Sequence, residues 1–315
     1  MKVLVVGATG AIGRPLISAL VSADHDVVGI AGSEQALETI EKNGAEGVVA
    51  NALDSQAVEA ALKKVRPEAV IDELTSLPKH YTAEEMRAAA DRDRRVRLEG
   101  GRNVLNAARA VDVRRYIVQS TGFFYAPGLG LAGETEPLAL HASPAIAASV
   151  QTYLQLEERA LGAQDLEATV LRYGFFYGPG TWYSPDGDVA RQVRKQNYPI
   201  AGSGSGVWSW VHIEDAAAAT VAALGCAPGI YNIVDNDPSA VSVWLPAFAA
   251  TVGAPEPPHL SEREALEQVG PDSIYYATRL RGASNAKAKR ELAFSPRRLE
   301  WLAATKAPGR LTQSA

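Results

Sequence analysis

Three glycines, Gly7, Gly10 and Gly13, punctuate the run KVLVVGATGAIG at residues 2–13. Glycines at this spacing suit a backbone that wraps a pyrophosphate. Gly7 lets the chain turn sharply, Gly10 lets backbone N–H groups approach the phosphates, and Gly13 lets the next helix lie close to the preceding strand. Thr9, Ala11 and Ile12 complete a loop whose N–H groups, backed by the positive end of a helix, would face the negative charge. The chemistry this invites is dinucleotide binding. A glycine run alone also serves as a bare turn, so the flanking elements decide. Residues 3–6 form a short apolar run fit for a fully buried parallel strand, and 11–21 carry apolar residues at helical spacing.

Strand and helix patterns go on alternating through the first half of the chain, as a doubly wound parallel α/β sheet requires. Strands are expected near 2–6, 26–30, 47–50, 69–72, 116–119 and 168–173, with helices near 11–21, 34–42, 55–65, 83–111 and 146–161. A helix near 211–223, entered through Glu214 or Asp215 as a cap, and a return strand near 230–234 follow. After Tyr177, Pro and Gly become frequent, as in GPGTWYSPDG and AGSGSG. The expected division is a nucleotide-binding domain over 1–178, rejoined by 201–235, and a smaller substrate domain over 179–200 and 236–315. Arg92, Arg94, Arg95 and Arg97 alternate with Asp91, Asp93 and Glu99, the pattern of a solvated helix face laced with ion pairs.

At 315 residues the chain has material for one large domain or two associated ones. Its 47% hydrophobic and 21% charged residues are ordinary for a soluble globular enzyme, and its net charge of −5 offers nucleic acid no basic footprint. The single Cys226 excludes an internal disulfide and a cysteine-based zinc site, and no metal is expected. With the glycine turn starting at residue 7 and no apolar stretch near the roughly 20 residues of a membrane span, a cytoplasmic protein with a small-molecule partner is expected.

Further segments resemble the extended short-chain dehydrogenase/reductase family, the NAD(P)-dependent epimerase/dehydratase group. They are GATGAIG at 7–13, LRYGFFYGPG at 171–180, VHIEDAA at 211–217, YNIVDNDP at 231–238 and SNAKAKREL at 284–292, followed by Pro296. They run in the family's order over nearly the whole chain. The resemblance implies a Rossmann-type doubly wound sheet with a small interleaved C-terminal substrate domain, a bound NADP or NAD, and ligands at the C-terminal ends of the strands. It also implies a homodimer packed through the helices that contain 103–110 and 154–161.

Family members usually carry a Tyr-x-x-x-Lys pair on the helix after the fifth strand, where the Tyr exchanges a proton with the substrate and the Lys lowers its pKa. The family's Glu-Arg-Ala-Leu helix ending resembles residues 158–161 here, which puts Leu154 at the Lys position and Val150 at the Tyr position. Neither side chain exchanges protons, so the chain resembles an atypical branch that has lost the pair. The family's Ser/Thr position falls on Thr121 and its Asn position on Arg97. Removing a general acid–base group typically forfeits about 10²–10⁴-fold in rate. Either another residue takes over the proton, or the chain binds a nucleotide without redox turnover. Tyr153 shares the helix face of Val150 one turn on. His80, Tyr81 and His141 lie on loops near the cleft, Arg97 would clamp an anionic or enolate oxygen, and Thr121 would orient a substrate oxygen. The expected catalytic set is Thr121, Tyr153 and Arg97.

An NAD site normally shows Asp or Glu at the end of the second strand. Here that stretch reads Ile30, Ala31, Gly32, Ser33. Ser33 can bond either coenzyme and Arg14 can supply charge, which favours NADP over NAD. Asn51 would accept the adenine amine bond. By resemblance, Ala52, Leu53, Leu74, Thr75, Gln119, Ser120, Tyr173 and Phe175 also line the cofactor. Sugar-nucleotide members carry an Asn where Phe175 stands and an Arg where Trp208 stands, and losing both argues against a nucleotide sugar. Aromatics gather instead, among them Phe123, Phe124, Phe176, Tyr177, Trp182, Tyr183 and Trp210. With Ser76, His80, Tyr81 and Trp208, the residues Phe123, Phe124, Phe176 and Trp182 would form the substrate wall, which suits a flat apolar molecule. The function expected is NAD(P)-dependent hydride transfer to or from an apolar or aromatic compound. The alternatives are a redox-neutral lyase, isomerase or epimerase in the same cleft, and a non-catalytic NAD(P) sensor.

Overall fold

The computed structural model describes residues 1–305. The strands are β1 (Lys2–Val6), β2 (Asp26–Ala31), β3 (Glu46–Val49), β4 (Ala69–Asp72), β5 (Arg115–Thr121), β6 (Glu167–Tyr173), β7 (Phe175–Tyr177), β8 (Ile200–Ala201), β9 (Val207–Trp208), β10 (Trp210–His212) and β11 (Gly229–Ile233), with two short further strands at Ser239–Ala240 and His259–Leu260. The helices of the first two-thirds are α1 (Gly13–Ser22), α2 (Glu34–Lys42), α3 (Ser55–Val65), α4 (Ala83–Arg95), α5 (Gly101–Ala110), α6 (Pro144–Leu161), α7 (Asp188–Arg194) and α8 (Ile213–Ala223).

Seven strands form one parallel sheet in the order β11-β6-β5-β4-β1-β2-β3. The order reverses between β1 and β4, and the crevice at that point, beyond the strands' C-terminal ends, is where open α/β sheets bind ligands. Alternation along each strand divides the apolar residues. Val3, Val5 and Ile71 bury on the face covered by α1 and α8, while Leu4, Val6 and Val70 bury on the face covered by α3 and α5. A third core, built from Trp208, Trp210, Trp244, Phe248 and Trp301, lies among the segments after β6. Among the described residues no helix is long and apolar enough to cross a membrane.

Two helix expectations are corrected. The single helix over 83–111 is two, α4 and α5, joined by a π-helical turn at Val96–Gly100 that buries Arg97 and Gly100. The helix over 211–223 begins only at Ile213, because Trp210–His212 pairs as a strand with β7. Its cap is His212, whose Nδ1 accepts the Glu214 N–H at 3.2 Å, and not Glu214 or Asp215.

Candidate active site

The glycine turn joins β1 to α1 at the switch point. Gly7 adopts φ +80°, and a Cβ there would stand 2.4 Å from the Glu73 carbonyl oxygen. A Cβ on Gly13 would stand 2.3 Å from the Gly7 carbonyl oxygen. Only glycine fits either place. The Gly10 N–H donates to the Gly7 carbonyl at 2.9 Å, closing the loop. Thr9 and Ala11 are exposed on it and Ile12 is buried. No side chain caps α1 and no acidic residue stands in its first turn, so its leading N–H groups are available to phosphates.

Beneath the turn Glu73 is buried and accepts the Tyr173 hydroxyl at 2.9 Å, while its Oε2 has no partner among the described residues. The Tyr173 hydroxyl also meets Thr220 at 2.6 Å. Tyr173 is therefore committed below the turn, which corrects its assignment to the cofactor. Burial pushes the Glu73 carboxyl up to about 8, against the Tyr173 hydrogen bond, and burial pushes Asp235 up to about 7. Both groups keep protons in the fold that the unfolded chain releases near ordinary carboxylate values. Stability is thus expected to fall as pH rises from the ordinary carboxylate range, through Asp235's value, to about 8. Glu73→Gln keeps the acceptor and cannot ionise. Its thermal melts should show a flatter profile between about pH 5 and about pH 9, with the variant the more stable at the alkaline end. A slope equal to the parent's would assign the loss to other groups.

At the far end of the crevice, β2 runs into Gly32 and Ser33. A Cβ on Gly32 would meet nothing within 4 Å, and the Ser33 side chain makes no cap bond to α2. This strand end is open and carries no carboxylate. Arg14 lies at the Gly180 loop, its Nη2 2.8 Å from the place of a Cβ on Gly180. The Asn51 side chain accepts the Leu53 N–H at 3.0 Å, and Asn103 on α5 donates to the Ala52 carbonyl at 3.0 Å, so residues 51–53 form a braced turn beside the strand ends.

Where β5 ends, Gln119 Oε1 and Thr121 Oγ1 are buried without partners among the described residues. Buried polar atoms are as a rule hydrogen-bonded, so these two oxygens mark a place for ligand groups. Together with the glycine cradle they fit a dinucleotide lying across the crevice. Ser120 between them is different. Its hydroxyl donates to Glu157 at 2.5 Å, and Glu157 takes Arg172 through Nε at 2.8 Å and Nη2 at 2.6 Å. Arg172 donates on to the Tyr125 hydroxyl at 2.9 Å, which donates to Asn232 at 2.6 Å. Ser120 is a strut of this network, which corrects the cofactor role expected of its side chain.

Helix α6 supplies the wall beside Thr121. Val150 is wholly buried in the aromatic core, and Leu154 packs against the same core. The glutamate that the fold engages is Glu157, whereas Glu158 is exposed. Counted from Glu157, the family spacing falls on Tyr153 and Ser149; counted from Glu158, it falls on Leu154 and Val150. In either register the helix carries no lysine, and Tyr153 is its one tyrosine. Tyr153 is half-buried between two cores, with the Arg97 guanidinium carbon 5.0 Å over its ring. Burial raises the Tyr153 hydroxyl's pKa, and Arg97 opposes the rise.

Arg97 departs from the solvated pattern of its neighbours. Arg94–Asp91 and Arg95–Glu99 are exposed pairs, but the π-helical turn aims Arg97 inward, leaving its side chain 4% exposed. Its Nε donates to Asp93 Oδ2 at 2.7 Å, and Asp93 Oδ1 accepts the Ser76 N–H at 2.6 Å. From α6, Arg159 donates to the carbonyls of Leu98 at 2.8 Å and Arg97 at 3.1 Å. Ser76 thus serves this brace, and its hydroxyl accepts from Arg92 at 2.7 Å. Leu74 and Thr75, just before it, are half-buried at the strand end.

The aromatic residues sort into two groups. Phe123 stacks on Phe175 at 4.1 Å, and Phe175 on Trp208 at 4.0 Å, with Phe124 and Tyr276 against the stack. Phe175 and Trp208 are buried, and the Trp208 indole donates to the Tyr276 carbonyl at 2.8 Å, so both back the wall rather than contact the cofactor or the cleft directly. Phe176 points the other way, into the sheet's core beside Tyr173, which corrects its place on the substrate wall. Across the cleft Tyr81 packs on Trp182 at 4.8 Å. This flap is latched by Asp188, which accepts His80 Nδ1 at 2.9 Å and the Tyr81 N–H at 2.8 Å. His80 is the outer side of that latch, and His141 is exposed.

The profile of the NAD dependent epimerase/dehydratase family matches residues 3–233. The chain belongs to this family. It is also 38% identical over 304 residues to a 3-diazoavenalumate denitrifying reductase from a Streptomyces species, covering 96% of this chain and 98% of the relative. Among solved structures, the UDP-glucose 4-epimerase of Thermotoga maritima with UDP-glucose superposes with TM-score 0.73 at 20% identity, covering 96% of this chain and 95% of the other. A dTDP-glucose 4,6-dehydratase from Streptomyces venezuelae with NAD bound superposes with TM-score 0.74 at 20% identity, covering 97% and 95%. As a member of the epimerase/dehydratase family, the protein is an NAD(P)-dependent oxidoreductase. The Rossmann-type sheet, the family and the NAD or NADP coenzyme all agree with the sequence-based expectation.

Four residues that shape this epimerase/dehydratase-family site escaped the sequence reading: Asp93, Glu157, Arg172 and Asp188. The first two were visible only as members of charged runs. Their signal lies in what they face, which periodicity alone does not assign when a helix changes its winding.

Proposed function

We propose that this protein uses NADPH or NADH to reduce an aromatic small molecule, and that the reaction is the replacement of a ring diazo group by hydrogen. Support comes from the Streptomyces relative, which carries that kind of activity in its name. The observation that carries the reading is an intact glycine cradle together with an aromatic wall, on a fold whose α6 helix carries no lysine. A carbonyl reductase must protonate the nascent alkoxide. An aryl diazonium needs no such proton. Held at the glycine turn by Gly7, Gly10 and Gly13, a reduced nicotinamide would supply the hydride for the ring carbon, with the carbon–nitrogen electron pair leaving in dinitrogen and the nicotinamide ending oxidised.

The chain's own residues hold the ring and keep the site dry. Phe123, backed by Phe175 and Trp208, offers a flat apolar face, and such faces also attract cationic ligands. Tyr81 and Trp182, packed on each other and held by Asp188, would shield the bound ring from water, which would otherwise replace dinitrogen with hydroxide. Thr121 would orient the ring through its free hydroxyl. The Gly32–Ser33 strand end, free of carboxylate, favours NADPH.

The test incubates purified protein with NADPH and a diazotised aminophenol. Expected are dinitrogen release matched to coenzyme oxidation, and deuterium on the ring when the coenzyme is deuterated at C4. Coenzyme oxidation without dinitrogen, or turnover confined to aromatic ketones, would overturn the reading. Thr121→Val is expected to lower kcat/KM by about tenfold while leaving the NADPH Kd unchanged. Equal activity in that variant would remove Thr121 from the site. On the family resemblance we also expect a homodimer, which light scattering would check.

A further inference from the structure

Deepening the reading just given, we infer that Asp93, Arg97 and Tyr153 form an anion subsite, in which Arg97 takes an acidic oxygen, phenolate or carboxylate, of the aromatic substrate.

The cluster is built for this. The Arg97 side chain is 4% exposed and spends only its Nε on Asp93. Its two terminal nitrogens make no hydrogen bond among the described residues, although guanidinium carries its donors in a fork that matches an acidic oxygen pair. Asp93 meets it at Nε alone, because its other oxygen is held by the Ser76 N–H at 2.6 Å, so the terminal nitrogens stay uncommitted. Tyr153 supports the planar cation from one side, and Arg159 fixes the backbone behind it through the carbonyls of Arg97 and Leu98.

The place is also right. Tyr153 contacts Phe124 at 6.2 Å, and Phe124 meets Phe123 at 4.7 Å, the first ring of the Phe123–Phe175–Trp208 stack. A substrate ring laid on Phe123, beside Phe124, would direct a polar substituent toward Tyr153 and Arg97. The Ser76 N–H ties Asp93 to the loop after β4, which borders the same crevice. The subsite would select acidic aromatics over neutral ones, and its cation would offset the negative charge that the apolar wall cannot solvate.

The experiment titrates NADP⁺-loaded protein with 4-hydroxycinnamate, its methyl ester and 4-methoxycinnamate, reading tryptophan fluorescence. Variants are Arg97→Met, Arg97→Lys, and Arg97→Met combined with Asp93→Asn, which leaves no unpaired carboxylate. Expected is a loss of about 10–100-fold in 4-hydroxycinnamate affinity in both Met variants, partial recovery in Arg97→Lys, and NADP⁺ affinity within about twofold of the parent. With the parent protein, weak binding of the ester alone assigns the contact to the carboxylate, and weak binding of the methoxy compound alone assigns it to the phenolate. Undiminished 4-hydroxycinnamate binding in the double variant overturns the subsite, as does an equal loss for acid and neutral ligands. Arg97-dependent binding without any dinitrogen release retires the denitrification reading and keeps the subsite. Dinitrogen release with Arg97-independent binding does the reverse.

Discussion

Arg172→Met is expected to cost about 3–5 kcal/mol of folding stability, measured as a lower urea midpoint at unchanged slope. Arg172 and Glu157 are both buried, with side chains 4% exposed on each, and they meet through two nitrogens and two oxygens. Methionine fills much of the arginine's volume but leaves Glu157 as an uncompensated buried charge, with only the Ser120 hydroxyl for company. The cost is therefore that of a stranded carboxylate and exceeds the net worth of the ion pair. A second change, Glu157→Gln, removes the stranded charge and should recover most of the loss. If Arg172→Met alone stays within about 1 kcal/mol of the parent, Glu157 has found water or a proton and the network is not the brace described. The same bonds fix Ser120 between Gln119 and Thr121, so a smaller loss of activity should accompany the loss of stability.

Gly13→Ala should weaken coenzyme binding severely. The added methyl would stand 2.3 Å from the Gly7 carbonyl oxygen and 2.6 Å from the Ala8 carbonyl carbon, both backbone atoms of the turn that would cradle the phosphates. Relief requires the first turn of α1 to move away from β1, taking its N–H groups with it. A loss of at least about 100-fold in NADPH affinity is expected, roughly 2.7 kcal/mol. Circular dichroism should remain that of an α/β protein, because the helix itself tolerates alanine. Tight NADPH binding by a folded Gly13→Ala protein would place the phosphates elsewhere.

The strands and the glycine turn were legible because their signals are local. A four- or five-residue apolar run between turn residues reads as a buried strand whatever it later pairs with, and β1 and β4 match their expected bounds. What escaped depends on partners. Trp210–His212 reads as the start of a helix until β7 lies beside it. Phe175 and Phe176 are adjacent and both aromatic, and only the strand's alternation sends one to the stack and the other into the sheet's core. Glu157 and Glu158 differ by 100° on the helix and by nothing in chemistry. The identity of the engaged one appears only with Arg172 and Ser120 in place. Of the expected site residues, Gln119 and Thr121 stand at the end of β5 and Arg97 lies over Tyr153, while the Tyr173, Phe176 and Ser120 side chains are taken up by protein partners.

The widened turn at Val96–Gly100 puts α4 and α5 out of phase by one residue. Excising a single residue there would restore ordinary winding, and everything on one side of the cut would rotate by about 100° relative to the other. Arg97 would then swing out to join Arg94 and Arg95 in solvent. What clamps the irregular winding is Arg159, which belongs to a different helix. The inward aim of the Arg97 cation is thus set by the winding of one helix and a fastening from another, so an insertion or deletion would relocate that charge without replacing the residue that carries it.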